Sequence, residues 1–382
     1  MRRLFRRTIP VGIEFGTVGV LDQTGRMHEV TTFRRDVKTD GRHAVVEFGA
    51  SLDEDLARRD FTINAIAYDP LAKRLHDPFA GQADLAAGVV RAVGQAADRM
   101  REDRLRALRA IRFASRFDFV IEPATWAAIA ESAPYLGRLS PERVKQELDK
   151  TMEQVRRPSV ALARWRDSGA FRTLVPVLAD VSDVVLARID ALPKPGLPAK
   201  PVRRALRMAA LFSHVDGKAA ETALRALRAS NQEIAVVGSL VDRWHRHCDA
   251  LRALALNVRA QRSMAADDAA LRTVVADVGR LRIQGLLRLA ATCWSGDASI
   301  PPLTVRTLYR RATRIAWRDP IEVADLAVDG DDLRTLGVPR GPAMGDILQQ
   351  LLALVIARPE ANTHVELSAY VTAWVASRQT AP

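Results

Sequence analysis

Cysteine is nearly absent from the sequence, since only Cys248 and Cys293 occur among its 382 residues. A disulfide framework needs several cysteine pairs and forms in oxidising compartments. We therefore expect two reduced thiols and a protein of the cytoplasm.

Long apolar runs are also missing, because no stretch reaches the roughly eighteen residues of a membrane-spanning helix. The basic start, residues 1–7, is not followed by the apolar segment of a secretory signal. We expect neither a membrane partner nor a signal peptide.

Acidic residues are outnumbered, with 45 Asp and Glu against 57 Lys and Arg and a net charge of +12. Such an excess favours a polyanion, and nucleic acid is the first expectation. A GC-rich coding sequence, which inflates Arg without any binding role, is the alternative.

The first part of the chain predicts short strands. Residues 17–21, a turn at 22–25 and residues 28–33 predict a hairpin, and the polar residues 34–43 predict a mobile loop. Residues 64–68 predict a helix, and residues 77–85 predict a turn before another helix.

Beyond about residue 98 the apolar spacing of three and four residues predicts helices almost throughout. Ser140 and Pro141 predict a helix start. Three Pro- and Gly-containing stretches predict breaks, at residues 193–201, 301–302 and 336–342.

Two polar segments, residues 58–65 and 101–113, contain the strongest candidate site residues. On a continuous helix, Arg106, Arg109 and Arg112 would follow Asp103 at steps of three, offset from an apolar stripe of Leu105, Leu108, Ile111 and Ala114. Guanidinium groups match phosphate oxygens, and an Asp–Arg pair offers an acceptor and donors to a base edge. The arrangement suits a nucleoside triphosphate; a solvated charged face is the alternative.

These two segments resemble the ribose-reading and base-reading motifs of class II tRNA nucleotidyltransferases, the CCA-adding enzymes, and their bacterial poly(A) polymerase relatives. Further matching segments occur in the family's order, at residues 14–18, 29–34, 77–85, 141–148, 330–333 and 341–345. The resemblance implies an α+β fold, with a partial polymerase-β-like head and small mixed sheet, then an elongated all-helical neck, body and tail. The implied bounds are head 1–90, neck 91–165, body 166–295 and tRNA-binding tail 296–382.

The resemblance also implies the site residues. Arg59 would contact phosphate or ribose, Asp60 the ribose hydroxyl, with Asn64 in the same motif. Asp103 and Arg106 would read cytosine or adenine, supported by Arg109 and Arg112. A helix cap and an ion pair are the alternative roles of Asp60 and Arg59.

Nucleotidyl transfer in this family uses Mg²⁺ held by an Asp-x-Asp pair after a Gly-Gly turn, and neither motif occurs at the expected place. We therefore expect an N-terminally truncated chain in which Glu29 is the remaining catalytic, metal-binding acid. A solvent-facing strand residue is its alternative role.

The implied function is template-independent addition of C and A to the 3′ end of tRNA, with tRNA, CTP and ATP as partners. A catalytically inactive RNA-binding remnant and an A-adding or poly(A)-synthesising relative are the alternatives. Nucleotide addition by this chain as it stands is not expected.

Overall fold

The computed structural model describes residues 1, 3–12, 16–39, 44–192, 200–260 and 264–379. Contacts within the chain divide it into two units. Unit 1 comprises Met1–Asp190 and Thr222–Asn231, and unit 2 comprises Ala191–Glu221 and Gln232–Pro382. Glu14 and Phe15 of the first matching motif lie outside the described residues.

The strands of unit 1 are short. They are β1 (Thr8–Gly12), β2 (Thr17–Leu21), β3 (Met27–Thr31), β4 (Arg34–Thr39), β5 (Ala44–Phe48), β6 (Ala67–Asp69), β7 (Arg74–His76), β8 (Val89–Val90) and β9 (Val120–Ile121). The first three strands form one sheet in the order β1-β2-β3, and the others pair as β4-β5, β6-β7 and β8-β9. Only the β8–β9 ladder among these described pairs is parallel.

The predicted hairpin over residues 17–33 is confirmed. β2 pairs antiparallel with β3, with Thr17 opposite Thr31, and the two hydroxyl oxygens lie 3.0 Å apart. In the connecting turn the Asp22 carboxylate accepts hydrogen bonds from the backbone N–H groups of Thr24 at 2.8 Å and Arg26 at 3.0 Å. This local hydrogen bonding is typical of Asp in a tight turn.

The expectation of a mobile loop over residues 34–43 is wrong for its first part. Arg34–Thr39 is β4, which pairs antiparallel with β5. Residues 40–43 lie outside the described part of the chain. A ladder is held by backbone hydrogen bonds to a partner strand, so the lack of apolar alternation in residues 34–39 did not exclude a strand.

The helices of unit 1 supply most of its buried apolar residues. They are α1 (Leu52–Ala57), α2 (Gly81–Ala87), α3 (Ala96–Glu102), α4 (Leu105–Phe117), α5 (Pro123–Ser132), α6 (Pro141–Gln154), α7 (Pro158–Asp167), α8 (Ala170–Leu174) and α9 (Asp183–Asp190). Short 3₁₀ helices occupy Thr62–Asn64, Ala133–Arg138 and Pro176–Leu178. The predicted helix over residues 64–68 is wrong, because the 3₁₀ turn ends at Asn64 and the chain enters β6 at Ala67.

The apolar stripe of α4 is the centre of this core, as its spacing predicted. Leu108, Ile111 and Ala114 are fully buried, and α4 packs against α6 and α7. Phe61 is also fully buried and meets Phe113 of α4 edge to face, with ring centroids 5.9 Å apart. The packing therefore joins α4 to the segment that carries Asp60.

The helices after residue 199, which lie in unit 2 apart from the second half of α11 and the first residue of α12, confirm the predicted helical character of the second half. They are α10 (Lys200–Leu211), α11 (Gly217–Ala226), α12 (Asn231–Arg259), α13 (Met264–Val278), α14 (Ile283–Cys293), α15 (Pro302–Arg318), α16 (Gly330–Thr335), α17 (Pro342–Ala357) and α18 (His364–Gln379). The predicted breaks at 301–302 and 336–342 separate helices as expected, while residues 193–199 lie outside the described chain. None of the helices described is long and apolar enough to cross a membrane.

Two features stabilise unit 2. Leu333, Leu351 and Leu367, from α16, α17 and α18, are completely buried in one apolar cluster. Arg272 of α13 donates to the Asp319 carboxylate at 3.0 Å and to the Ile356 carbonyl at 2.6 Å, which satisfies the end of α17.

Candidate nucleotide-binding site

Asp103 lies between two helices rather than on one. α3 ends at Glu102, Asp103 is extended, with φ −146° and ψ 104°, and α4 begins at Leu105. One oxygen of Asp103 accepts the backbone N–H of Leu105 at 3.0 Å, and the other accepts from Arg143 of α6 at 2.7 Å. The expectation of a continuous helix is wrong here, because Asp bonds the free N–H groups at a helix start more favourably than it fits a helix interior.

Arg106 does not pair with Asp103. Its Nη1 donates to Glu102 at 2.6 Å and to the Arg99 carbonyl at 3.0 Å, and its Nη2 donates to the Arg58 carbonyl at 2.8 Å. The side chain is largely buried. Arg106 therefore ties the segment at residue 58 to the start of α4, and its base-reading role stays a prediction.

Three of the predicted site residues come together around Asp60. Arg109 donates through Nε to Asp60 Oδ2 at 2.8 Å. Asp60 Oδ1 accepts from the Phe61 backbone N–H at 2.9 Å and from Asn64 Nδ2 at 3.0 Å. The Asp60 side chain is 10% exposed and that of Arg109 is 32% exposed. Within the described chain the terminal nitrogens of Arg109 have no hydrogen-bond acceptor, so they remain available to an anion.

Arg59, another predicted site residue, is half exposed and donates to Asp55 at 3.2 Å. Arg58 donates to the other oxygen of Asp55 at 2.7 Å. Burial opposes ionisation of Asp55, but the hydrogen bonds and charges of Arg58 and Arg59 outweigh it and lower the pKa of that carboxyl. The Asp55 carboxylate is therefore an anion paired with two guanidinium groups at the end of α1.

Arg112 lies inside unit 1. Its Nε donates to Glu147 of α6 at 2.6 Å, and the two side chains are only 5% and 1% exposed. Arg106 and Arg112 therefore do not share an open face with Arg109, because both of their side chains are buried. A role of Arg112 in nucleotide binding stays a prediction.

Glu29 is an exposed residue of β3, opposite Gly19 of β2. Mg²⁺ needs several oxygen ligands, usually including carboxylates. Among the residues that the structure describes, no group of three or more His, Cys, Asp or Glu side chains is placed to hold a metal ion. The described residues therefore do not fit a magnesium centre, and Glu29 alone does not make one.

Sequence reasoning assigned no role to Arg143, although its segment was among the matching motifs. The only indication was that it follows the helix start at Ser140 by three residues. A cavity of about 640 Å³ in unit 2, lined in part by Leu287, Trp294 and Tyr309, involves none of the predicted site residues.

Two families match parts of the chain. Residues 1–91 match the family described as poly A polymerase head domain, and residues 118–181 match the one described as probable RNA and SrmB-binding site of polymerase A. The CCA-adding enzyme of Lactiplantibacillus plantarum is 41% identical over 200 residues, covering 52% of this chain and 48% of that protein. The CCA-adding enzyme of Geobacillus kaustophilus is 39% identical over 243 residues, covering 63% and 57%. The chain thus spans about half the length of these curated relatives.

Solved structures extend the comparison to nearly the whole chain. The Bacillus stearothermophilus CCA-adding enzyme in complex with CTP superposes with a TM-score of 0.72 at 30% identity, over 99% of this chain and 86% of that one. The Thermotoga maritima CCA-adding enzyme complexed with tRNA has the same fold, with a TM-score of 0.61 at 20% identity over 98% and 82%. Proteins of this class combine a nucleotidyltransferase head with helical segments that follow it. The predicted α+β fold class is therefore confirmed. This chain belongs to the family of CCA-adding tRNA nucleotidyltransferases and bacterial poly(A) polymerases.

Proposed function

We propose that the chain acts in template-independent addition of C and A to the 3′ end of tRNA. In this reaction the 3′-hydroxyl oxygen bonds to the α-phosphorus of CTP or ATP, and the bond to the β-phosphate breaks to release pyrophosphate. The observation that carries the proposal is the Asp60–Asn64–Arg109 cluster, in which a partly exposed guanidinium lies beside a carboxylate held in place by two further donors. The similarity to CCA-adding enzymes supports it.

Asp60 and Arg109 suit a ribose triphosphate. The fixed carboxylate offers an acceptor to a ribose hydroxyl, while the terminal nitrogens of Arg109 offer donors to phosphate oxygens. Arg59, half exposed at the end of α1, adds a second cation for the phosphates.

Asp103 and Arg106 suit the choice of base. Cytosine and adenine each present an amino group beside a ring nitrogen acceptor, whereas uracil and guanine present a carbonyl and a protonated ring nitrogen. A carboxylate and a guanidinium fit the first pattern and leave unpaired groups against the second. In this proposal Asp103 bonds Arg143 and still has free lone pairs that accept from the amino group of the base. Arg106 gives up one of its present acceptors and donates to the ring nitrogen of the base instead.

Arg112 acts as a positioning residue in this proposal. Its buried pair with Glu147 connects α4 to α6, the helix that carries Arg143. Arg112 therefore fixes the distance between Asp103 and Arg143 without contacting the nucleotide.

The division into head 1–90, neck 91–165, body 166–295 and tail 296–382 is part of the proposal, as are tRNA, CTP and ATP as partners and the cytoplasm as location. The match of residues 118–181 to an RNA-binding family supports contact of that region with RNA. The described residues do not fit a metal centre. The predicted Mg²⁺ ion therefore requires ligands other than these residues.

A nucleotide-selection experiment tests the proposal. CTP, ATP, UTP and GTP are bound to the purified protein and to Asp103→Ala in competition. The wild type is expected to prefer CTP and ATP, and Asp103→Ala to lose that preference. Asp98→Ala removes an exposed carboxylate from neighbouring α3 and is the matched control. Equal binding of all four nucleotides by the wild type would refute the base-selection role.

An incorporation assay separates the reactions. CCA addition to a tRNA lacking its last three nucleotides stops after those three, whereas the poly(A) alternative, supported by the family described for residues 1–91, extends a run of A. RNA binding without incorporation of any nucleotide would favour the inactive RNA-binding alternative.

A further inference from the structure

Two arginines lie against one tyrosine ring at the start of α4. The guanidinium carbon of Arg104 is 4.8 Å from the ring centroid of Tyr135, and that of Arg138 is 5.3 Å from it. Both distances are within the range of about 6 Å for cation–π attraction. Tyr135 and Arg138 belong to the 3₁₀ helix Ala133–Arg138, so the ring joins this segment to the residue that precedes α4.

The two guanidinium groups repel each other. Burial, followed by the charge of Arg138, lowers the pKa of Arg104, although an arginine stays protonated at neutral pH. Arg104 donates at 3.0 Å to the hydroxyl of Ser132, a neutral partner. Glu131, a nearby acid, lies 3.6 Å from Arg101. An anion bound between Arg104 and Arg138 would remove this repulsion.

The arrangement is open to a large ligand. Tyr135 is 45% exposed and Arg138 is exposed as well. Forked guanidinium donors match the oxygens of a phosphate, and Arg beside an aromatic ring is the usual composition of a single-stranded RNA surface.

The position of the pair favours RNA over the nucleotide. Arg104 follows Asp103 directly, yet their side chains bond to different helices, Ser132 of α5 and Arg143 of α6. The Arg104 side chain therefore leads away from the base-selecting carboxylate. An RNA strand whose 3′ end is being extended passes next to the incoming nucleotide. Its backbone phosphates then lie on the side to which the Arg104 side chain leads.

We propose that Arg104, Tyr135 and Arg138 bind a backbone phosphate of the single-stranded RNA end that accepts the new nucleotide. Both guanidinium groups contact the ring of Tyr135, and in this proposal the phosphate bridges them. This inference rests on the proposed function for the identity of the RNA. The triphosphate of CTP has the same chemistry, and the experiment distinguishes the two sources.

The test measures binding of a labelled tRNA lacking its terminal CCA by fluorescence anisotropy at several salt concentrations, with CTP affinity measured separately. Arg138→Gln and Tyr135→Ala are expected to weaken RNA binding about two- to fivefold, as for exposed charge pairs. Arg138→Gln should also reduce the slope of log affinity against log salt by up to about 0.7, the contribution of one phosphate on a single strand. Tyr135→Phe keeps the ring and should bind as the wild type does.

Arg172→Gln is the matched control, because it removes one exposed cation from neighbouring α8. Arg172→Gln is expected to change RNA affinity by less than half as much as Arg138→Gln does. Wild-type RNA affinity in Arg138→Gln, or an equal loss in Arg172→Gln, would overturn the inference. A parallel loss of CTP affinity would assign the site to the triphosphate and also overturn it. Failure of the wild type to prefer CTP and ATP would instead refute the proposed function, while the salt slope of Arg138→Gln would still decide the phosphate site.

Discussion

Arg109 and Asp60 are 49 residues apart in sequence, and their side chains form a 2.8 Å ion-paired hydrogen bond. The bond uses Nε of the guanidinium, and within the described chain the terminal nitrogens have no hydrogen-bond acceptor. Asp60 in turn is held by Asn64. The pair therefore fixes the orientation of the Arg109 guanidinium.

Arg109→Ala is expected to weaken CTP binding about tenfold or more, because a hydrogen bond to a charged group contributes about 1.5–3 kcal/mol. Arg109→Lys should recover only part of this loss, since an ammonium cannot bond Asp60 and phosphate through a planar fork. Isothermal titration calorimetry measures both. Arg116→Ala, on the same helix but bonded to Gln154, serves as control. Equal CTP affinity in Arg109→Ala and wild type would remove Arg109 from the site.

Arg112→Leu is expected to lower the free energy of unfolding by up to about 3–5 kcal/mol, because it leaves the buried Glu147 with only the more exposed Lys150 as an ion-pair partner. The double variant Arg112→Leu/Glu147→Leu should regain most of that stability in urea titrations. If Arg112 only positions α4, the double variant also keeps its preference for CTP and ATP. Loss of that preference in a stably folded double variant would instead indicate direct contact with the nucleotide.

Gly81→Ala is expected to destabilise the protein by about 1–3 kcal/mol, the usual cost of overpacking. A Cβ atom at Gly81 would lie 2.1 Å from the Thr62 carbonyl oxygen, so α2 or the segment 62–64 must move. Gly137→Ala in the same unit is the control, since its Cβ would meet only Thr173 at 3.7 Å. Similar melting temperatures for the two variants would contradict the close packing of α2.

Asp55→Asn is expected to lower stability at neutral pH by about 1–3 kcal/mol, through the loss of charged hydrogen bonds to Arg58 and Arg59. Because the folded-state pKa of Asp55 is lowered, its stabilisation is complete above the unfolded-state pKa near 4 and is lost as the pH falls through the folded value. The difference between variant and wild type should therefore shrink below about pH 4. Unfolding midpoints against pH check this, with Asp53→Asn as an exposed control on the same helix. A difference that stays constant down to pH 2 would refute it.

Local patterns predicted much of the fold for a simple reason. A helix has a repeat of 3.6 residues, so the positions of Leu108, Ile111 and Ala114 alone indicate which side of α4 is buried. Proline removes a backbone donor, and therefore the break at 301–302 was visible without the structure. β4 was missed because its hydrogen bonds depend on a partner strand rather than on its own polarity.

The sequence by itself determined the inventory of the candidate site: Asp60, Asn64, Asp103 and the arginines that follow. Only the tertiary structure decided their partners. A guanidinium offers five donors and donates to any carboxylate or carbonyl within reach, so spacing along α4 does not distinguish Asp60, Glu102 and Glu147 as partners. The chain fold places Asp60 at Arg109, the Arg58 carbonyl at Arg106 and Glu147 at Arg112. These contacts join residues that are 35 to 49 positions apart, and they leave Arg109 partly exposed while Arg106 and Arg112 are buried.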